Sequence, residues 1–159
     1  LPDAEDAVAQ TSNDDTDDEP LRNAATLQEL VAIQPTEVTS DDMECLAGTV
    51  YFESKGESLA GQLAVAEVVI NRKNSGRFAS TICGVVYQPK QFSFVRGGKM
   101  PPIDKGSKHW RNAVAIAHIA MDNQWQSPVK GSLFFHANYV SPGWRLTRTG
   151  TIGNHIFYR

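Results

Sequence analysis

Hydrophobic positions recur along this chain mainly at helical spacing. From Ser40, the residues Met43, Leu46, Ala47, Val50 and Tyr51 predict a helix through "SDDMECLAGTVYFES". Asp41 and Glu44 form a capping-box-like pair at its start, with Ser40 as a competing cap, and Lys55-Gly56 ends it. Ser58 caps a second helix, "LAGQLAVAEVVINRK", with Leu59, Leu63, Ala66 and Ile70 as its stripe. Gly61 and the alanines leave room there for close helix packing. A third, short helix starts at Ser80 or Thr81 and stops at Pro89. After a Gly- and Pro-rich loop, Ser107 opens a long helix with Trp110, Val114, Ala117 and Met121 on one face. Near the end, "GSLFFHANYV" and "GTIGNHIFYR" are β-prone and are expected to pair as a two-stranded ribbon. Upstream, Leu27, Leu30, Val31 and Ile33 before Pro35 predict a short helix or docking segment. The fold class is therefore α+β, mostly α, with a small antiparallel β element near the C-terminus.

Composition changes this picture at the N-terminal side. Residues 1–24 are acidic and polar with almost no large apolar side chain, and such a segment cannot offset its ordering entropy by burial. Residues 1–39 are accordingly expected to be a largely disordered tail or linker, and 40–159 a single domain with one modest core. The net charge of −3 conceals an asymmetry: residues 1–44 net −12 and residues 45–159 net +9. A basic body suits an anionic partner such as nucleic acid, an acidic lipid surface or a cell-wall polymer. The tail either offsets the body's charge or recruits a partner protein. No apolar run is long enough to span a bilayer. A start at Leu1 rather than Met fits an export signal or anchor already removed, and fits a cloning boundary equally. In an exported protein Cys45 and Cys83 could form one disulfide; otherwise they are two separate buried thiols.

Candidate chemistry centres on "VYFESKGESLAG". Glu53 and Glu57 stand one helical turn apart, and alone such a pair often decorates a solvated face. Their surroundings differ. Glu53 follows Tyr51 and Phe52 on an apolar helix, where desolvation would raise its pKa and retain a proton for general acid work. Glu57, between Gly56 and the Ser58 cap, could accept hydrogen bonds from free N–H groups at the next helix start and stay ionised. Glu67, beside Arg72 and Lys73, is expected in a solvated ion pair. Tyr87, Gln88, Gln91, Phe92 and Ser93 in one loop, with His136, Asn138, Tyr139 and Trp144 in another, combine ring faces with hydrogen-bonding groups, as carbohydrate sites do. Phe94, Phe134 and Phe157 are expected in the core, as is His118, while His136 and His155 could meet across the ribbon. No zinc, phosphate-cradle or serine-hydrolase motif occurs.

Four segments in order, "YFESKGESLAGQLAVAEVVINR", "TICGVVYQPKQFSF", "FFHANYVSPGW" and "TIGNHIFYR", resemble the SleB/CwlJ-type cell wall hydrolases. The resemblance covers residues 43–159. It implies a lysozyme- or lytic-transglycosylase-like helical domain acting on peptidoglycan glycan strands, with no cofactor, metal or nucleic acid. The family's E-A-R-G-E motif aligns with Glu53 to Glu57, implying Glu53 as catalytic acid and Glu57 as a structural or assisting carboxylate. Ser54 and Lys55 depart from that motif, and Lys55 lacks the bidentate fork of Arg. Tyr87, Gln88, Pro89, Phe92 and Ser93 match a segment implied to line the glycan groove. Thr151, Ile152, Gly153, His155 and Phe157 match an ending read as mainly structural. The implied reaction is cleavage between N-acetylmuramic acid and N-acetylglucosamine by a monomer in the periplasm or envelope, most simply as a lytic transglycosylase using Glu53 alone. The alternatives are a muramidase-type hydrolase using Glu53 and Glu57, or a non-catalytic peptidoglycan-binding module.

Overall fold

The structure, a computed structural model, describes residues 25–159. Among these, five helices precede three strands: α1 (Leu27–Ala32), α2 (Asp41–Ser54), α3 (Leu59–Ser75), α4 (Ile82–Tyr87), α5 (Lys108–Met121), β1 (Phe134–Ala137), β2 (Arg148–Ile152) and β3 (His155–Tyr158). The disorder expected for residues 1–24 lies outside the described residues. No helix among the described residues is long and apolar enough to cross a membrane.

Each longer helix starts where a hydroxyl satisfies an orphan backbone donor. Ser40 accepts from the Met43 N–H, so it, rather than Asp41, caps α2. Ser58, Thr81 and Ser107 cap α3, α4 and α5 in the same way. Gly76 ends α3 in the left-handed conformation, at φ +79°.

α3 is the spine of the domain. Leu63, Ala66 and Val69 face a helical core shared with Leu46 and Val50 of α2, Val85 and Val86 of α4, and Val114 and Ile116 of α5. Ala64, Val65 and Val68 face a second cluster with Val129 and Phe157. A helix held between other helices and a sheet is buried on two sides. Its apolar residues therefore exceed the single stripe expected from spacing, and Leu59 and Ile70 at the stripe's ends are only partly buried. Leu30 of α1 is 2% exposed and joins the helical core, so the packed structure reaches back past Ser40. His118 is buried, with Nε2 2.8 Å from the Glu37 carbonyl oxygen.

Cys45 and Cys83 form a disulfide with Cα atoms 5.3 Å apart, tying the N-terminal half of α2 to α4. The Cys83 N–H also donates to Asp42 Oδ1 at 3.0 Å, fastening the same two helices.

The β element differs from the two-stranded ribbon expected. It is a three-stranded antiparallel sheet in the order β1-β3-β2. The segment "GTIGNHIFYR" is not one strand, because Gly153-Asn154 turns the chain back and pairs Ile152 with His155. Gly153 has φ +56°, which suits glycine in a two-residue hairpin turn. A bulge between Arg148 and Gly150 shifts the β2 register. β3 is thus central, with Phe134 opposite Tyr158 and Ala137 opposite His155 on its other side.

Candidate active site

A cleft of about 550 Å³ opens where the end of α2, the last turn of α3, the loop after α4 and the sheet converge. Glu53 enters it from the last turn of α2, Arg72 from α3, Gln91, Phe92 and Ser93 from the loop, and His136, Tyr139 and His155 from the sheet and its following loop.

Glu53 is held among aromatic rings. The adjacent Phe52 stacks on Phe94 with centroids 5.0 Å apart, and Phe94 leans on Phe92 at 5.6 Å. Burial pushes the Glu53 carboxyl up from its ordinary value of 4.5 to about 7, and the nearby Arg72 charge partly opposes that rise. The direction expected from Tyr51 and Phe52 is the one found. A carboxyl in this state is a proton donor near neutral pH.

Arg72 was not singled out from sequence. It is 6% exposed, unusual for a charge. Its Nε donates to the Leu133 carbonyl oxygen at 2.7 Å and its Nη1 donates to Gln91 Oε1 at 3.0 Å. Its guanidinium carbon lies 5.1 Å from the Phe78 ring centre, 5.5 Å from Phe134 and 5.6 Å from Phe92. Burial lowers its pKa to about 10, with Glu53 opposing, so it remains a cation at neutral pH. The available signal was position: Arg72 follows Val65, Val68 and Val69 along the buried side of α3.

Consequently Arg72 is not the surface partner of Glu67. Glu67 is half-buried, its carboxyl pushed up mainly by burial, with Ser127 and Lys130 as its opposing neighbours. Its Oε1 is enclosed without a hydrogen-bond partner, and it lines a separate cavity of about 140 Å³ with Asn71 and Ser127. The solvated ion pair expected there is not formed, because Arg72 turns into the cleft and Glu67 faces this cavity instead.

Glu57 does not line the cleft. Its Oε1 has no hydrogen-bond partner meeting normal geometry, so the backbone donors expected to hold it do not. The α3 start is satisfied instead by Ser58 Oγ, which accepts from Gly61 N–H at 3.1 Å. Glu57 Oε1 lies 3.4 Å from His155 Nδ1 beneath the β2–β3 turn. Burial lowers the His155 pKa from its ordinary value, Glu57 opposes that shift, and His136 adds a smaller lowering contribution. It was expected to be mainly structural, yet it lines the cleft beside His136.

The sequence-predicted groove residues divide. Gln91, Phe92, Ser93, His136 and Tyr139 meet around Glu53. Tyr87 and Gln88 do not. Tyr87 lines a different groove of about 500 Å³ beside the Cys45–Cys83 disulfide, with Met100 and Pro101. Gln88 Oε1 accepts from the Ala79 N–H at 3.2 Å and so ties its loop to the segment between α3 and α4. Lys55 turns outward with Nζ 4.5 Å over the Tyr51 ring. Tyr139 is 86% exposed at the cleft mouth. Trp144 packs edge-on to His136, Phe134 and Tyr158. Phe157 is fully buried, whereas Phe94 and Phe134 are partly so.

A helical domain with a small terminal sheet and a half-buried glutamate of raised pKa in an open groove is an arrangement suited to cleaving polysaccharide chains. The cell wall hydrolase family profile matches residues 56–158, beginning just after Glu53. This chain belongs to that cell wall hydrolase family, of SleB/CwlJ type. It is 33% identical over 127 residues to the spore cortex-lytic enzyme of Oceanobacillus iheyensis, covering 77% of this chain and 43% of that protein. To the spore cortex-lytic enzyme of Bacillus subtilis it is 30% identical over 132 residues, covering 80% and 41%. The chain thus spans less than half the length of these relatives. Its fold matches the catalytic domain of the germination-specific lytic transglycosylase SleB from Bacillus anthracis with a TM-score of 0.62 at 30% identity, over 79% of this chain and 99% of that one. The catalytic domain of the Bacillus cereus SleB protein gives 0.61 at 30% identity, over 79% and 95%.

Proposed function

We propose that residues 40–159 cleave the glycan strands of peptidoglycan between N-acetylmuramic acid and N-acetylglucosamine, as a lytic transglycosylase with Glu53 as proton donor. The observation that carries this is the Glu53 carboxyl, its pKa raised by burial to about 7, inside a cleft of about 550 Å³. The Glu53 proton passes to the glycosidic oxygen as the C1–O bond breaks and N-acetylglucosamine leaves with a 4-hydroxyl. The muramic acid 6-hydroxyl closes on C1 and passes its proton to a basic group in the cleft, giving a 1,6-anhydro end without added water. Tyr139 and His136 offer ring faces to the strand, while Gln91 and Ser93 offer hydrogen bonds. The resemblance to SleB, a lytic transglycosylase, supports this choice of chemistry.

A two-carboxylate muramidase has less support, because Glu57 points to His155 rather than lining the cleft. The envelope, reached by export, is the compartment that holds this substrate, and the disulfide accords with an oxidising one. A regulatory partner for the acidic tail would engage residues outside those described.

The test is digestion of purified peptidoglycan by wild type and Glu53→Gln, with products identified by mass. Wild type is expected to yield 1,6-anhydromuramyl ends, and Glu53→Gln to lose about 10²–10⁴-fold in rate while still binding the strands. Reducing muramic ends would indicate a hydrolase, and binding without cleavage by wild type would indicate a non-catalytic module.

A further inference from the structure

The Glu57–His155 contact has chemical content beyond packing. Both atoms are enclosed and neither makes a hydrogen bond of normal geometry, yet Glu57 Oε1 and His155 Nδ1 face each other at 3.4 Å. Glu57 is confined there. A side chain at Gly153 would come within 3.4 Å of its Oε1, and one at Gly61 within 3.8 Å. A carboxylate oxygen can only accept, so closing this short gap into a hydrogen bond places the proton of a neutral His155 ring on Nδ1. Its Nε2 then carries the lone pair. His155 lines the cleft, and its Nε2 makes no hydrogen bond among the described residues, which leaves that lone pair free.

The neighbouring His136 is arranged differently. Its Nδ1 lies 2.7 Å from the Ala137 carbonyl oxygen, which can only accept, so Nδ1 donates. Its Nε2 lies 2.7 Å from the Tyr158 hydroxyl and, in the neutral ring, accepts from it. Both of its nitrogens are engaged. Of the two cleft histidines, His155 alone has a free basic nitrogen among the described residues.

We infer that Glu57 and His155 form a dyad in which Glu57 fixes the tautomer and His155 Nε2 accepts the proton of the attacking hydroxyl. This rests on Glu53 as the acid. The balance closes. The Glu53 proton goes to the leaving glycosidic oxygen, the O6–H proton goes to Nε2, and the new C1–O6 bond replaces the one broken. Imidazolium then returns a proton through solvent to the Glu53 carboxylate, restoring both groups. His155 is the catalytic residue and Glu57 a positioning residue. The division fits the burial-lowered basicity of His155, which keeps the ring neutral at the pH where Glu53 retains its proton. The charged or titratable groups around the ring are Glu57, His136, Glu53, Arg72, Lys90 and Tyr139.

The rate of anhydromuramyl product formation on purified peptidoglycan, followed across acid to alkaline pH, decides the matter. With a His155 base, the wild-type profile is a bell: it rises as His155 loses its proton and falls as Glu53 loses its own. Glu53 acting alone gives only the falling limb. His155→Gln is expected to lose about 10²-fold or more and the rising limb with it. Glu57→Gln keeps an acceptor for Nδ1–H but removes the charge that raises the His155 pKa, so its rising limb moves to lower pH. If His155→Gln fails to fold by circular dichroism, Glu57→Gln carries the test alone. An unmoved rising limb in Glu57→Gln, or a wild-type profile without one, overturns the dyad. Full activity of Glu53→Gln would instead remove the acid on which the inference rests, which keeps the two failures distinct.

Discussion

The same burial that arms Glu53 penalises the fold, and the penalty is measurable. In the unfolded chain this carboxyl ionises around its ordinary 4.5; in the folded protein it holds its proton to about 7. Below the lower value both states are protonated and Glu53 contributes no pH dependence. Between the two the unfolded chain binds fewer protons than the native one, so stability falls as pH rises. The integrated loss is about 3 kcal/mol above the upper value. Glutamine has the shape of the protonated acid and cannot ionise. Glu53→Gln should therefore match wild type in stability near pH 4 and exceed it by about 3 kcal/mol near pH 8, or about 10 °C in Tm for a domain of this size. Arg72 stays charged throughout this range, since its own pKa is lowered only to about 10. Thermal unfolding followed by circular dichroism at both pH values supplies the comparison. A difference between the two proteins that is the same at both would show that Glu53 is not held protonated by the fold, and the proton-donor reasoning would collapse with it.

Two further outcomes follow from the packing. Replacing Cys45 and Cys83 together by Ser opens a link between residues 38 apart and should lower stability by about 2–4 kcal/mol in denaturant titration, with added reductant destabilising wild type but not the variant; equal midpoints would show that the bridge contributes nothing. Tyr139→Ala removes a ring that is 86% exposed, so Tm should hardly move while strand cleavage falls by about tenfold; a drop in Tm with unchanged cleavage would make Tyr139 a packing residue.

Helices were legible in this sequence because their signals are local. Ser40, Ser58, Thr81 and Ser107 each stand before an apolar period, and each is the cap observed. The sheet was half legible. Gly153-Asn154 between "TI" and "HIF" is a hairpin signal, but β2 includes Gly150 and a bulge, which blur the alternation that marks a strand. In the cleft, the desolvation of Glu53 followed from its neighbours in sequence. Arg72 and His155 did not stand out, because their roles depend on partners far along the chain: Leu133 and Gln91 for the first, Glu57 for the second. Tyr87 and Gln88 belong to the same short motif as Phe92, yet α4 ends between Tyr87 and Gln88 and the chain then turns, so adjacent residues serve different surfaces.

The three rings around Arg72 come from three separate segments, and two of them, Phe78 and Phe134, lie outside the cleft. The cation they hold is the one that restrains the burial-driven rise of the Glu53 pKa. Substitutions at those two rings can therefore retune the pH at which the donor works while leaving every residue of the groove unchanged. A lineage moving between acidic and alkaline surroundings has a route to adapt its working range without renegotiating how it grips the strand.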